Sequence, residues 1–349
     1  MEGQHPIIGE TPPFWWRRAG WQAWLLAPAA FAYGRLAARR LARGGRLAFE
    51  LPVIRIAALA VGLRVDTDVA IALAQACRRL GMRPGIAAAG PAGAFAAPHL
   101  VDRHHDLPRH VGDEALQCAR AVPTALCADL AAAARMLAAE GVDIVVVADG
   151  DGGNRLQPDY TLAVVDAVRG LGNGHVVPAG PMRAPLVDQL RQASGLIVLG
   201  QGDGADHAVR LAARAARPLF HAALRPRAGI DLGGRRWLAF AGVADADRFF
   251  GMVRQAGGEI AAARAFREGH LYADDELDDL AALADAQGLS VVTSTRDAVR
   301  LEHGSEAATA LRRRAVALET ELAFEVADAP DTIVGDAVAA FRLRQFSPR

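Results

Sequence analysis

LPVIRIAALAVGLRVDTDVAIALAQACRRLG, residues 51–81, runs from an apolar segment through a short loop into an amphipathic one. The apolar run 51–59 predicts a buried strand, and residues 68–81 predict a helix. Strand, loop and helix in that order make the slot of a phosphate-binding loop, where backbone N–H groups and a lysine cradle phosphate. Here the loop, residues 57–68, has a single glycine, Gly62, no lysine, and an aspartate at 66.

Outward from this stretch the pattern repeats. Apolar runs at 83–89, 142–148, 162–167 and 195–200 predict strands, and residues 127–140 and 205–216 predict helices. The alternation predicts an α/β fold with a mostly parallel sheet covered by helices. Pro218, Pro226, Gly229, Gly233 and Gly234 cluster in residues 217–235, which read as a linker. Beyond it, a strand at 236–242, a helix at 245–257 and a strand at 290–294 predict a second, smaller α/β domain. The expected organisation is an N-terminal helical segment 1–50, a core domain 51–216, the linker 217–235 and a C-terminal domain 236–349 whose last helix is free to return to the core.

Composition excludes several chemistries. The 349 residues carry 39 basic and 39 acidic side chains, a balance that points to no nucleic-acid partner. None of the basic residues is a lysine, which removes Schiff-base chemistry and the usual P-loop ammonium. Cys77, Cys118 and Cys127 form no C-x-x-C and read as small buried apolar residues of a reducing compartment. No run reaches the ~20 apolar residues that span a bilayer, and the start lacks the basic region of a secretory signal.

Residues 14–46 are distinctive. They hold Trp15, Trp16, Trp21 and Trp24, four of the five tryptophans, and seven arginines. Against Glu2, Glu10 and Glu50, those arginines give residues 1–50 a net charge of +4. Aromatic rings at headgroup level and arginines on anionic lipid suit a helix lying in a membrane interface. The alternative is a helix packed on its own domain.

Three further stretches are more specific together than apart: HVGDEAL (110–116); VVVADGDGGNRLQPDYTLAVVDAVRGLGNGHVVPAGPMRAP (145–185); and LAFAGVADADRFF (238–250) with AFREGHLYADDELDDLAAL (265–283) and VVTSTRDAVRL (291–301). With PPFWWRR and LLAPAAFAYG before them, in this order and spacing, the chain resembles the tetraacyldisaccharide 4'-kinase family from about Pro12 to Leu301. The resemblance implies a P-loop NTPase-like core with an added α/β domain, peripheral on the cytoplasmic face of the inner membrane. It implies ATP and Mg²⁺ as cofactors and the lipid A disaccharide precursor as the acceptor that is phosphorylated at its 4'-hydroxyl.

The family's phosphate loop reads G-N-x-x-x-G-G-T-G-K-T-P. Alignment of the flanks puts Ala57 and Ala58 at its start, keeps Gly62 and Thr67, and puts Leu63, Arg64, Val65, Asp66 and Asp68 at the other diagnostic positions. Leu63 and Val65 oppose the close backbone approach that glycine permits. An ammonium ~4 Å from a phosphate gains about 4 kcal/mol per charge pair at an effective dielectric of 20, and a carboxylate there reverses the sign, an upper-bound swing of about 8 kcal/mol. The acidic pair that orders Mg²⁺ in D-D-G-x-Q becomes Ala148 and Asp149, so the resemblance leaves Asp149 as the metal ligand, with Gly152 at the glutamine. P-L-R-E-P keeps Arg183 but has Ala184 for its acid, D-H-H reads Glu268, Gly269 and His270, and T-E-K-D reads Ser294, Thr295, Arg296 and Asp297.

The acceptor side is better kept. The resemblance implies Asp113 as catalytic base, His270 as its assistant, and Glu114, Arg183 and Asn173 as substrate contacts. Read alone, Asp113 is a helix N-cap and His270 a surface histidine. DGDGGN (149–154) and GQGDGADH (200–207) read as turns, and the His104–His105 loop with Asp102 and Asp106 as solvated rather than metal-binding. Two functions remain open: an ATP-dependent lipid A 4'-kinase, or a non-catalytic relative that binds the precursor, the membrane or a partner enzyme.

Overall fold

The computed structural model describes residues 11–43, 47–62, 66–91, 95–149, 156–243, 245–302 and 304–346. A short 3-10 helix at Pro13–Trp16 precedes α1 (Trp21–Arg43), β1 (Val53–Ala58), α2 (Asp66–Arg79), β2 (Pro84–Ala88) and β3 (His99–Leu100). Then come α3 (Pro108–Val111), α4 (Asp113–Ala121), β4 (Thr124–Leu126), α5 (Leu130–Ala139), β5 (Ile144–Asp149), β6 (Tyr160–Asp166), α6 (Leu186–Gln192), β7 (Gly195–Leu199), α7 (Asp206–Arg214) and β8 (Leu219–Pro226). The chain continues through β9 (Arg236–Ala241), α8 (Ala246–Gln255), β10 (Glu259–Ala265), α9 (Asp274–Gln287), β11 (Ser290–Ser294), α10 (Thr295–Glu302), α11 (Glu306–Arg314), β12 (Ala315–Leu318), β13 (Thr320–Phe324) and α12 (Ala329–Phe346).

These elements divide into two compact units. The first holds the residues up to Leu100, Val122–Ala223 and those from Ala323 on, and the second holds Val101–Ala121 and Leu224–Leu322. The sequence places residues 101–121 inside 51–216, yet they group with the second unit.

The first unit is built on a nine-stranded sheet in the order β13-β8-β7-β6-β1-β5-β2-β4-β3. Its central strands are parallel, and being covered on both faces they read as continuous apolar runs. Val145 and Val147 pack with Leu130, Ala134 and Leu137 of α5, while Val165, Leu196 and Val198 pack with Leu190 of α6 and Ala212 of α7. Ala57 at the end of β1 pairs with Asp149 of β5 on one side and Ala163 of β6 on the other. From β1 the chain proceeds to β2 on one side of the sheet, and from β5 it crosses to β6 on the other. The C-terminal ends of β1 and β5 therefore lie at a switch point, the position where open α/β sheets take ligands.

Residues 217–235 contain β8. The prolines that suggest a linker fall just before and at the end of this strand, where the ladder does not require their N–H groups. Near the C-terminus, α12 packs on α2, β1 and β6. Arg344 fastens it, with Nε donating to Asp159 Oδ1 (2.7 Å) and Nη2 to Asp159 Oδ2 (3.1 Å) and the Phe49 carbonyl (3.0 Å). Asp159, whose side chain is buried, also accepts the Val53 N–H at the head of β1 (2.9 Å).

Trp15 is buried in this unit, and its indole N–H donates to the Pro178 carbonyl (3.0 Å). Trp21 and Trp24 of α1 are 72% and 67% exposed, with Leu25 and Phe31 also exposed. Among the described residues no helix is long and apolar enough to cross a membrane. Cys77, Cys118 and Cys127 are buried thiols, and burial pushes that of Cys77 up to about 12.

The second unit has a four-stranded parallel sheet, β10-β9-β11-β12. Side chains of β9 alternate as a strand requires. Leu238 and Phe240 join Leu277, Leu280 and Leu301 on one face, and Trp237, Ala239 and Ala241 join Phe249, Phe250 and Val253 on the other.

Arg344→Met leaves Asp159 buried with only a backbone N–H. Unfolding in urea is expected to show a loss of about 3 kcal/mol; an unchanged midpoint would show that the pair contributes nothing to fastening α12.

Candidate functional site

In the second unit the candidate residues cluster around one carboxylate. Asp297, in the first turn of α10, has a fully buried side chain. Its oxygens accept the Gly242 N–H at the end of β9 (3.1 Å to each), the Tyr272 hydroxyl (2.8 Å), the Ser294 hydroxyl (2.5 Å) and Arg300 Nη1 (2.7 Å). Ser294 caps α10 by accepting the Asp297 N–H (3.1 Å), the S-x-x-D arrangement of a helix start. Burial, then the adjacent Asp297 charge, raises the Tyr272 pKa far above the ordinary tyrosine value, so this phenol stays a donor.

Arg300 carries the network to α4. Its Nη1 also donates to the Gly242 carbonyl (3.0 Å), and its Nη2 donates to Asp113 Oδ2 (2.5 Å). The side chains of Arg300 and Asp113 are 8% and 14% exposed. Two more pairs join α4 to α10: Glu114 with Arg296 (3.4 Å) and Arg120 with Glu302 (2.5 Å). These contacts seat residues 101–121 in the second unit.

His270 enters from the other side. Its ring stacks on Phe266, with centroids 5.0 Å apart, and meets Tyr272 edge-on at 5.2 Å. Its Nε2 lies 2.7 Å from Glu276 Oε2, which also accepts the Ala273 N–H (3.0 Å) at the head of α9. That N–H, then His270, holds the Glu276 carboxyl below the usual glutamate value. The structure thus connects Asp113 to His270 through Arg300, Asp297 and Tyr272. The motif around 294–297 contains Asp297 as a capping pattern, but no local signal marks Arg300.

The remaining candidates lie in the first unit. Gly62 follows β1 with φ +83°, a conformation that favours glycine, and Thr67 is buried in the first turn of α2. Asp66 and Asp68 occupy that same turn. Leu63, Arg64 and Val65 lie outside the described residues, as do Gly150 and Gly152. Asp149 is described in its backbone alone, ending β5 beside Ala57.

Arg183 donates its backbone N–H to the Leu59 carbonyl (3.3 Å), and Val61 donates to that of Pro181 (2.8 Å), so the 180–185 segment runs against the loop after β1. Asn173 organises its own loop: Nδ2 donates to the Ala179 carbonyl (2.8 Å), Oδ1 accepts the His175 N–H (3.0 Å), and its N–H donates to the Trp15 carbonyl (2.7 Å). A Cβ on Gly180 would fall 2.1 Å from Asn173 Oδ1, which explains the glycine. The distinctive GNGHVVPAGP stretch is in this respect a packing unit for Trp15.

A nucleotide triphosphate does not fit the described residues at the start of α2. A helix N-terminus offers N–H groups and positive potential to phosphate, and here Asp66 and Asp68 stand in that turn, in a chain that holds no lysine. Elsewhere, Asp102 pairs with His105 Nδ1 (2.6 Å) and accepts the His104 N–H (2.8 Å) within its own turn. Among the described residues no group of three or more His, Cys, Asp or Glu is arranged to hold a metal.

Comparison with known proteins extends the resemblance. The sequence model of the family tetraacyldisaccharide-1-P 4'-kinase matches residues 22–337. The tetraacyldisaccharide 4'-kinase of Mesorhizobium japonicum is 44% identical over 340 residues, covering 97% of this chain and 99% of the relative. That of Brucella ovis is 43% identical over 338 residues, with coverage of 97% and 99%. Among solved structures, LpxK from Aquifex aeolicus in complex with ATP superposes with a TM-score of 0.68 at 18% identity, covering 90% of this chain and 99% of that one; the likeness shows a shared fold.

Because Glu276 is held below 4.5 in the folded state, its contribution to stability is fully present above that value and is lost as pH falls through the folded pKa. Between about pH 6 and about pH 3 the wild type is expected to lose more stability, by denaturant midpoint, than Glu276→Gln. Equal losses would remove the His270–Glu276 pair from the account.

Proposed function

Since the chain belongs to the tetraacyldisaccharide 4'-kinase family, we propose that it recognises the family's acceptor, the lipid A disaccharide precursor, and does so without using ATP. The observation that carries this reading is an asymmetry between two sites. The acceptor-side carboxylate Asp113 is gripped by a buried charge network, while α2 opens on Asp66 and Asp68 where phosphate would need cations. In this reading Asp113 accepts a hydrogen bond from a hydroxyl of the disaccharide, and His270 and Glu114 flank it; Arg183 belongs to the segment that runs against the loop after β1. Asn173 serves by shaping its loop.

The precursor is a lipid, and the surface of α1 suits it. Exposed Trp21 and Trp24, with Leu25 and Phe31 and the arginines that follow, form an interfacial face for peripheral contact with the cytoplasmic side of the inner membrane. Trp15 serves inward through its bond to the Pro178 carbonyl, while Trp16 donates to Thr11 Oγ1.

A second reading is the family's full reaction, transfer of the ATP γ-phosphate to the 4'-hydroxyl with Mg²⁺ at Asp149. The 43–44% identity with full-length kinases favours it. In that case Asp113 takes the hydroxyl proton.

Both readings meet one experiment on the purified full chain. Vesicles of phosphatidylethanolamine and phosphatidylglycerol carrying the tetraacyldisaccharide 1-phosphate are expected to bind, and Asp113→Asn to weaken binding about 10-fold or more. Binding that is no tighter with the precursor than to the same vesicles without it, or an unaffected variant, would contradict the first reading. Addition of ATP and Mg²⁺ is expected to yield no phosphorylated product by mass spectrometry; an Asp113-dependent product would establish the second.

A further inference from the structure

We infer that Arg300, anchored by Asp297, is the positioning residue of the Asp113 site and sets its preference for a hydroxyl-bearing, uncharged part of the ligand. The inference rests on the reading that Asp113 meets the acceptor sugar.

Three charged side chains share this buried corner: two carboxylates and one guanidinium. Asp297 is fixed by donors from the end of β9, from the Ser294 cap and from Tyr272, leaving it no freedom to follow Arg300. Arg300 is fixed in turn by Asp297 and the Gly242 carbonyl on Nη1, which aims Nη2 at Asp113 Oδ2. A planar fork makes all three contacts at once; a lysine, with one ammonium on a flexible stem, cannot span them in the same geometry.

The consequence for Asp113 is directional. Oδ2 is occupied by the guanidinium, and among the described residues Oδ1 accepts no hydrogen bond, so the carboxylate presents one oxygen in a fixed orientation. The three groups together carry one net negative charge. A ligand hydroxyl satisfies it by donating, whereas an anion there meets repulsion with little solvent to screen it. The site therefore takes the sugar hydroxyl edge of a phosphorylated disaccharide and excludes its phosphate.

A double-mutant cycle on precursor-vesicle affinity tests the role, with thermal unfolding followed in parallel. Arg300→Lys is expected to weaken binding about 10-fold while the fold is kept, and to have less than about a twofold effect once Asp113→Asn is present. Equal losses in both backgrounds would make Arg300 merely structural, and no loss in the wild-type background would overturn the inference outright. If Arg300→Lys does not fold, Tyr272→Phe, which removes one donor from Asp297, enters the same cycle with an expected loss of about threefold that vanishes with Asp113→Asn; additivity again overturns it. Asp113→Asn that leaves affinity unchanged defeats the acceptor-site reading itself, a result distinct from an additive cycle.

Discussion

A single buried carboxylate, that of Asp297, holds the candidate site of the second unit together. An ionised group out of contact with solvent is tolerated only when its charge and lone pairs are matched. Here the matches come from the end of β9, the cap of α10, the loop before α9 and the guanidinium of Arg300. Three of these partners lie outside α10, so the requirement of one carboxylate holds the end of β9, the end of β11 and the loop before α9 against that helix. Through Arg300 the same requirement reaches α4 and places Asp113. Networks of this kind are strong when complete and destabilising when broken, which ties the integrity of the unit to the geometry of its candidate site.

The start of α2 follows a different logic. Asp66 and Asp68 oppose a bound phosphate, yet carboxylates in the first turn favour the helix itself, by roughly 0.3–1 kcal/mol each. The strand, the turn at Gly62 and the helix thus persist in a chain with no lysine for a phosphate. Folding asks of this slot only a buried strand and a helix that packs on it. Nucleotide chemistry asks in addition for cations and close backbone approach. Family membership and the TM-score of 0.68 report the first demand, while the residues at 66 and 68 bear on the second.

Much of the first unit is legible in the sequence because parallel strands covered on both faces must be apolar throughout: β1, β5, β6 and β7 announce themselves as runs. β8 is hidden because its neighbouring prolines and half-buried pattern resemble a linker. The membership of α4 in the second unit is equally hidden, since its ion pairs join residues 182 and 187 positions apart. Asp113 and His270 are found through family motifs and not through any local pattern. Arg300 lies within the quoted stretch 291–301, but nothing in that stretch assigns it a role; its contacts exist only once Asp297 is folded beneath it.

The most direct measurement is calorimetric titration of the purified chain with ATP in the presence of Mg²⁺. If Asp66 and Asp68 in the first turn of α2 bar a phosphate, as proposed, the chain should release no binding heat up to millimolar nucleotide. Micromolar, saturable binding would contradict the account and return this protein to the working kinases of its family.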